Sequence, residues 1–227
     1  MPYLGFNPSF TSEGAITTLA DTTTIGDGTA EDVMIKFDGN TADYHIGLDD
    51  SGDKLTMGKG AALGTTASMT FDTNGIILKP LQPCFKGILA SNVNNMATNT
   101  EHDIQISTEV DDLNGDFNTS NYTFTAPVTG KYFLSCLMRI DAIDANGTNF
   151  NRYKIVTSNA SYTWVSDPKS WGVADYEERL VISAYADMDA SDTAKLTFYT
   201  AAGAAQADQS SGSTSAIWTS FYGYLVN

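Results

Sequence analysis

Apolar and polar residues alternate with a period of two along many short runs of this chain. The clearest run covers residues 122–135, where an alternating stretch ends at Pro127 and a second aromatic stretch begins after Gly130. A period of two places successive side chains on opposite faces of a β-strand, and Pro and Gly mark the turn between strands. No run of a dozen residues has helical periodicity, so the pattern predicts an all-β protein.

Short apolar runs separated by turn residues fill the segment 21–82. The turns are rich in Gly, Asn and Asp, which tolerate positive φ angles. Because strands of four or five residues do not form a stable sheet in isolation, we expect a small β-rich shaft module that needs support from elsewhere. The predicted strands are residues 33–37, 44–48, 54–57 and 68–71.

The longer segment 83–227 follows two prolines, Pro80 and Pro83, which favour an extended joint. Many short strand patterns with regular turns indicate a β-sandwich here. Residues 201–215, rich in Gly, Ala, Ser and Gln, predict a long mobile loop before the last strand. The predicted strands are residues 84–91, 104–107, 121–126, 131–140, 151–158, 161–165, 178–186, 194–200 and 216–226.

Adjacent aromatic residues mark several strands of this segment. Because neighbouring strand residues point to opposite faces, one member of each pair faces the core and the other faces outward. Outward aromatic residues on several strands form a patch that a monomer should not expose, and copies of the same chain are the simplest cover. The alternative is that they are scattered over the surface. The candidate trimer or core aromatic residues are Tyr132, Phe133, Phe198, Trp218, Phe221 and Tyr224.

The segment 1–20 is an aromatic lead with Gly and Pro and no neighbouring apolar run. Exposed apolar side chains are costly, so we expect an attachment peptide that becomes ordered on a partner. A frayed terminus is the alternative. The candidate attachment residues are Tyr3, Leu4, Phe6 and Phe10.

The net charge limits the partners. Twelve Lys and Arg stand against 27 Asp and Glu, which gives −15 in a chain of 227 residues. This charge repels nucleic acid and anionic membranes. The N-terminus has no basic and apolar pattern of a secretory signal, and no segment approaches membrane-spanning length. We therefore expect no nucleic-acid partner, no membrane insertion and no secretory export.

No residue set indicates catalysis. His45 and His102 are the only histidines of the sequence, and neither lies in a pattern typical of a catalytic triad. His45 alternates with apolar residues in a predicted strand, and the polar run 99–103 predicts a loop around His102. Cys84 and Cys136 lie in apolar strand patterns and are expected to be free, buried thiols. Neither a phosphate loop nor zinc-ligand spacing is present, and no carboxylate pair is singled out for glycoside cleavage. We expect neither enzyme activity nor a cofactor.

The turns at residues 49–53 and 141–147 crowd carboxylate and amide oxygens, which calcium prefers as ligands. Both lack the Glu that closes the calcium loop of EF-hands, and Asp and Asn favour turns without any metal. Calcium is therefore a hypothesis, and no metal-binding residue is assigned.

Residues 166–172 are a predicted loop that carries an aromatic ring, a cation and a carboxylate beside an aromatic strand. An aromatic face with adaptable polar groups is typical of binding surfaces. The alternative is that both tryptophans pack under the loop as core. The loop 201–215 is a second candidate surface. The candidate receptor-contact residues are Tyr162, Trp164, Asp167, Lys169 and Trp171.

Residues 44–58, followed by the turn Phe-Asp-Thr-Asn-Gly at 71–75, resemble the small β modules in tail fibres and spikes of tailed bacteriophages. The resemblance implies a shaft whose core is completed by neighbouring copies around a threefold axis, with the chains intertwined.

The segment 83–227 resembles the head domain shared by the complement q-subcomponent and the tumour-necrosis-factor superfamily. The long loop 201–215 departs from that family's pattern. The resemblance implies a ten-stranded jelly roll and a tight homotrimer. It is carried by Phe117, Phe124, Pro127, Gly130, Tyr132, Phe133 and the runs 189–198 and 221–225.

Together these features predict a non-enzymatic virion protein, a trimeric phage fibre or appendage. Its N-terminus would bind other virion proteins, and its head would project outward and bind a host-surface glycan or protein. The alternatives are a decoration or cement protein of the capsid or tail, a glycan-degrading fibre enzyme, and a secreted complement-like binding module. The expected location is the virion, assembled in the host cytoplasm.

Overall fold

The computed structural model describes residues 24–64, 66–171, 175–213 and 216–226. The chain divides into two compact units, Met1–Leu78 and Lys79–Asn227. All four candidate attachment residues in the segment 1–20 lie outside the described residues, so their role stays a prediction. Within the described ranges, no helix is long and apolar enough to cross a membrane.

The N-terminal unit contains an antiparallel meander in which each short strand pairs with the next one in the chain. Asp53, in the turn before the third strand, has a positive φ of 50°, as expected for a tight turn rich in Asp and Gly. The alternation of apolar residues predicted the first four strands at these positions. The strands are β1 (Val33–Phe37), β2 (Tyr44–Asp49), β3 (Lys54–Lys59), β4 (Ala67–Phe71) and β5 (Ile77–Leu78).

The C-terminal unit contains two large antiparallel sheets and a small ribbon. A single 3₁₀ turn of helix spans Pro168–Trp171. The strands are β6 (Cys84–Ile88), β7 (Val93–Met96), β8 (Glu101–Asp103), β9 (Thr108–Asp112), β10 (Phe117–Asn118), β11 (Thr123–Thr125), β12 (Gly130–Asp144), β13 (Thr148–Thr157), β14 (Ser161–Ser166), β15 (Asp175–Met188), β16 (Thr193–Ala202), β17 (Ala207–Gln209), β18 (Gly212–Ser213), β19 (Ala216–Ile217) and β20 (Ser220–Leu225).

The strand order of the C-terminal unit is that of a jelly roll. One sheet runs β9-β6-β20-β12-β15, with β17 and β7 beside the far end of β12. The other sheet runs β10-β11-β16-β13-β14, with β8 beside β16. Antiparallel pairs nest in chain order, β6 with β20, β11 with β16, β12 with β15, and β13 with β14. The predicted all-β jelly-roll sandwich is therefore confirmed.

An aromatic stack forms one end of the core between the two sheets. Phe85 on β6 stacks on Phe124 of β11, with ring centroids 4.4 Å apart. Phe117 stacks on Phe85 from another side at 5.2 Å, and Phe221 meets Phe85 edge-on at 5.0 Å. A Cβ at Gly223 would come within 3.0 Å of the Phe85 ring, so glycine lets the last strand approach this stack closely.

The strand predicted at residues 104–107 is wrong. The strand β8 ends just before it, and Ile104 and Ile106 are fully buried in a segment without strand pairing. The Ile106 N–H donates to the carbonyl oxygen of Ile104 at 2.9 Å, which closes a tight turn. Both isoleucines are buried in the core and are two residues apart. This spacing is the same as the period of a β-strand, which explains the wrong prediction.

The prediction of a loop throughout residues 201–215 is also wrong, because β17 lies within it and pairs with both β12 and β7. Ala207, Gln209 and Ser210 are buried. The Gln209 side-chain amide donates to the carbonyl oxygen of Asp103 at 2.9 Å. This strand is held largely by polar contacts, so an apolar periodicity could not reveal it.

Candidate functional site

The outer face of the sheet containing β12 carries apolar side chains in cross-strand rows. In the first row, Phe133 lies between Tyr185 of β15 and Tyr224 of β20. The rings of Phe133 and Tyr224 are 5.5 Å apart. A parallel row places Leu137 beside Val181, and Val181 is 65% exposed. We call these residues, together with Tyr222 of the row between them, the head outer face.

Polar groups on the same face are largely satisfied within it. The Ser135 hydroxyl lies 2.9 Å from the Ser183 hydroxyl, between the two apolar rows. Contiguous exposed apolar surface of this kind marks an interaction site in a soluble protein. The head outer face is therefore the strongest candidate for an assembly surface in the described part of the C-terminal unit.

A charged cluster borders one end of the head outer face. The Arg139 guanidinium lies 3.8 Å from the centroid of the Trp218 ring, and that of Arg179 lies 5.8 Å from it. Glu177 accepts a hydrogen bond from Arg139 at 2.6 Å and pairs with Arg179 at 2.9 Å. Asp141 binds the other side of Arg139. The cation–π contacts and ion pairs hold Trp218 at the rim in a fixed orientation.

An open groove of about 630 Å³ crosses the outer face of the other sheet. Its walls carry two opposite-charge pairs. The Lys154 ammonium lies 2.9 Å from Glu101, and the Lys195 ammonium lies 2.7 Å from Asp103. A neighbouring cavity of about 400 Å³ shares Asp103 and Lys195 and continues toward Ser158. Alternating donors and acceptors along an open groove suit a neutral polar ligand better than a strongly charged one.

The surroundings of the groove lower the pKa of the Glu101 carboxyl. Partial burial acts to raise its pKa, but hydrogen bonds from Thr197, Lys154 and Arg152 to the ionised form outweigh burial and lower the pKa to about 2. Sequence reasoning missed this group. One signal was present in the sequence. Arg152 and Lys154 are two residues apart on β13, so the period of a strand places both cations on one face, where they can pair with a carboxylate.

We expect the Glu101→Gln substitution to remove a pH-dependent part of the stability. A depressed carboxyl pKa stabilises the fold above the unfolded value of about 4.5, and this contribution disappears as the pH falls toward about 2. The partly exposed site limits the loss to about 1 kcal/mol at neutral pH. Urea unfolding at pH 7 and pH 2.5 measures it. A stability difference that stays constant between the two pH values would contradict the assignment.

The candidate receptor-contact residues occupy different environments. Tyr162 is half-buried against the core, whereas Trp164, on the same face of β14, is 56% exposed. Asp167 and Lys169 are exposed and share a turn, in which the Lys169 N–H donates to Asp167 at 3.0 Å. Trp171 ends the 3₁₀ helix, and its side chain lies outside the described part of the chain. Core packing, the alternative for Trp164, does not hold within one chain.

The candidate trimer or core aromatic residues separate into two groups. Tyr132, Phe198 and Phe221 are fully buried. The other candidates face outward: Phe133 and Tyr224 lie on the head outer face, and Trp218 lies at its charged border.

The histidines and the predicted calcium turns are engaged in hydrogen bonds within the chain. His45 is buried and binds the carbonyl oxygen of Gly60 at 3.0 Å. His102 lies on β8, not in a loop as predicted. Asp49 accepts hydrogen bonds from Ser51 and Gly52 of its own turn at 2.7 and 3.1 Å. Asp144 accepts one from the Gly147 N–H of its own turn at 3.0 Å and one from the Ala204 N–H of a distant segment at 2.8 Å. Among the described residues, no group of three or more His, Cys, Asp or Glu residues could hold a metal ion.

Cys136 and Cys84 are free thiols, and only Cys136 is fully buried. Burial raises the pKa of Cys136 to about 12, and it also raises the pKa of Cys84. We expect iodoacetamide at pH 8 to leave Cys136 unmodified in the folded protein for hours and to label it within minutes in urea. Mass spectrometry of the tryptic peptides measures this. Rapid labelling of Cys136 in the native protein would show that the core opens.

Comparisons with known proteins found structural likeness only. No protein-family model matches the chain, and no curated protein matches its sequence. The globular domain of zebrafish complement 1qA matches with a TM-score of 0.47 and 14% identity, covering 64% of this chain and 98% of that one. Murine APRIL at pH 8.0 matches with a TM-score of 0.43 and 7% identity, covering 64% and 99%. Murine APRIL at pH 5.0 matches with a TM-score of 0.42 and 8% identity, and it covers the same shares of the two chains.

Proposed function

We propose that this protein is a homotrimeric appendage of a tailed-bacteriophage virion that binds a host-surface receptor through its jelly-roll head. The observation that carries the proposal is the head outer face, whose apolar rows are exposed in a single chain. Association of copies through this face would remove the rows from water. The phage assignment is supported by the resemblance of residues 44–58 to phage fibre modules.

A closed, symmetric assembly suits an exposed apolar face. An interface that closes into a ring leaves no free copy of the face, whereas an open arrangement would grow into a fibre. Three copies also multiply weak receptor contacts, because binding of one head raises the effective concentration of the other two. The protein then acts by binding, and no catalytic step is assigned to it.

We place receptor contact on β14 and the turn after it, where Trp164 presents a largely exposed indole beside Asp167 and Lys169. An exposed aromatic face flanked by polar groups fits the stacking and hydrogen bonding of a sugar ring or a protein loop. The neighbouring residue Val165 has the same exposed fraction, 56%, but its side chain faces the other side of the strand.

The test is adsorption of the purified, full-length protein to host cells and its competition with infection by the parent phage. We expect the wild-type protein to adsorb and compete, the Trp164→Ala variant to do so at least tenfold more weakly, and the matched Val165→Ala variant to match the wild type. Sedimentation must show unchanged assembly of both variants. If Trp164→Ala dissociates the protein, this residue belongs to the assembly and the receptor assignment fails.

Absence of adsorption by the assembled wild-type protein would overturn the receptor role. The same trimer would then fit a decoration protein, which needs only the assembly surface and an attachment to the virion. Binding of the free protein to particles that lack it would identify that role.

A further inference from the structure

The groove on the sheet of β8, β16, β13 and β14 is lined mainly by polar side chains. Cross-strand pairing aligns Lys154 of β13 with Thr197 of β16 and Asp103 of β8, so these three side chains share the outer face. Lys195 lies two residues before Thr197 and therefore points to the same face. The two cavities of about 630 and 400 Å³ that meet at Asp103 and Lys195 both have the size of ligand sites, roughly 300–1,000 Å³.

The charged side chains of the groove retain hydrogen-bonding capacity. An ammonium has three N–H donors, and among the described residues Lys154 and Lys195 each pair with one carboxylate, at 2.9 and 2.7 Å. A carboxylate has two acceptor oxygens, and the ion pair of Asp103 engages its Oδ1. Further donors and acceptors thus lie side by side. A hydroxyl both donates and accepts, so neighbouring hydroxyls of a sugar ring fit such a pair.

Contacts within the chain hold one wall of the groove in place. Glu101 accepts hydrogen bonds from Thr197 at 2.5 Å and from Arg152 at 2.8 Å, in addition to its ion pair with Lys154. Arg152 packs over the Tyr199 ring, with its guanidinium carbon 4.6 Å from the ring centroid. These contacts fix the Lys154 ammonium before a ligand arrives, so binding does not have to order it.

Charge favours a ligand without net charge. The groove and its border carry three cations and two anions, so 3 − 2 gives +1. They are Arg152, Lys154, Lys195, Glu101 and Asp103. An anionic ligand gains little from this balance and is repelled by the −15 charge of the chain. A cationic ligand meets the three cations. A neutral ligand replaces water at the charged groups without separating the ion pairs.

The lining of the groove disfavours a protein ligand. Protein interfaces depend on aromatic and aliphatic side chains that fill well-packed pockets. Among the described lining residues of both cavities, Val156 is the single aliphatic one, and no Phe, Tyr or Trp is present. Val156 lines both cavities and is placed to contact the C–H face of a sugar ring. Hydroxyl and amide side chains such as Thr123 and Asn121 line the second cavity.

We propose that this groove binds a chain of neutral, hydroxyl-rich sugars. The site is separate from the receptor contact on β14, because Thr163, the cross-strand neighbour of Lys154, and Trp164 point to opposite sides of that strand. It is also separate from the head outer face, which belongs to the other sheet of the sandwich. The inference goes beyond the proposed function, since each groove is complete within one chain and stays open when copies associate through the head outer face.

An array of immobilised oligosaccharides tests the ligand class with the full-length protein. The array carries neutral chains of hexoses and N-acetylhexosamines beside matched chains that contain uronic or sialic acids. We expect binding to neutral chains, with the best neutral chain bound roughly tenfold or more tightly than its acidic counterpart. Absence of binding to every neutral chain, or a preference for acidic chains, would overturn the inference.

A double substitution locates the site. Lys195→Gln combined with Asp103→Asn removes both charges of one ion pair and leaves the net charge and the side-chain size nearly unchanged. We expect the calorimetric affinity for the best neutral chain to fall roughly tenfold or more, because charge-assisted hydrogen bonds are replaced by weaker neutral ones. The matched control, Lys36→Gln combined with Asp38→Asn, neutralises an ion pair of the N-terminal unit and should bind as the wild type does.

Circular dichroism should be the same for both double variants. Full affinity of the groove variant, or an equal loss in the control, would overturn the inference. Loss of sugar binding in Trp164→Ala together with full binding by the groove variant would place the sugar on β14, which also overturns it.

The outcomes separate this inference from the proposed function. A protein that sediments as a monomer, or that does not adsorb to host cells, overturns the homotrimer or the receptor role, whereas binding of neutral sugar chains in the groove would stand. Adsorption to host cells without binding to any neutral chain would overturn the groove site alone.

Discussion

We expect the Phe221→Asp substitution to unfold the C-terminal unit. Phe221 is fully buried on β20, where its ring meets Phe85 at 5.0 Å and Phe117 at 6.4 Å. Loss of a buried phenylalanine ring costs about 3–5 kcal/mol. A carboxylate at the same place adds several kcal/mol, because the buried cluster of described residues around Phe221 contains no cation to pair with it. The sum is comparable with the total stability of a typical domain, about 5–15 kcal/mol.

Circular dichroism and urea unfolding of the purified variant measure this effect. The control is Lys169→Ala, which removes an exposed side chain whose ammonium donates to Asn149 at 3.0 Å. Such a surface change alters stability by at most about 0.5 kcal/mol. A Phe221→Asp variant that unfolds cooperatively at the wild-type urea concentration would show that β20 does not lie in the core.

The strands and their buried sides could be predicted from sequence because both depend on local order. Adjacent residues of a strand face opposite sides, so the pair Tyr132 and Phe133 had to divide between core and surface. The structure buries Tyr132 and leaves Phe133 on the outer face. The alternation could not predict which of the two residues faces the core, because both are aromatic.

The groove could not be predicted, because it depends on pairing between distant segments. Glu101 and Lys154 are far apart in the chain, and they meet because β8 and β13 flank the same strand, β16. A local pattern shows only that residues 99–103 are polar, and this led to the prediction of a loop around His102. Strand pairing in a jelly roll connects the two ends of the ribbon, and neither hydropathy nor turn residues encode it.

Buried polar contacts could not be predicted from the sequence either, because they also depend on pairing between distant segments. Glu178 is buried and accepts hydrogen bonds from the Tyr153 hydroxyl at 2.6 Å and the Ser166 hydroxyl at 2.8 Å. Burial, together with the charge of Glu178, raises the pKa of Tyr153 well above its usual value. From sequence, Glu178 is an ordinary polar position in a strand. Its partners identify it as a core residue whose carboxyl oxygen accepts hydrogen bonds from buried donors.

The second large effect is expected from Val181→Asp, which separates the proposed trimer into single chains. Val181 is largely exposed in one chain, so a carboxylate there stays hydrated and the fold tolerates it. Once the head outer face is covered by another copy, the same carboxylate is taken out of water, and Arg179, two residues away on the same face, already pairs with Glu177 at 2.9 Å. We expect a cost of about 3 kcal/mol per copy, which weakens association by more than a hundredfold.

Val165→Asp is the matched control, because Val165 is also a strand valine that is more than half exposed, but it lies on β14 in the opposite sheet. Analytical ultracentrifugation at micromolar concentration should give one third of the wild-type mass for Val181→Asp and the full mass for Val165→Asp. Circular dichroism should be the same for both variants. If both remain trimeric, the copies associate through another surface and the head outer face stays open to a different partner. If both dissociate, the interface extends over β14, and receptor contact cannot lie there, because the copies themselves would cover Trp164.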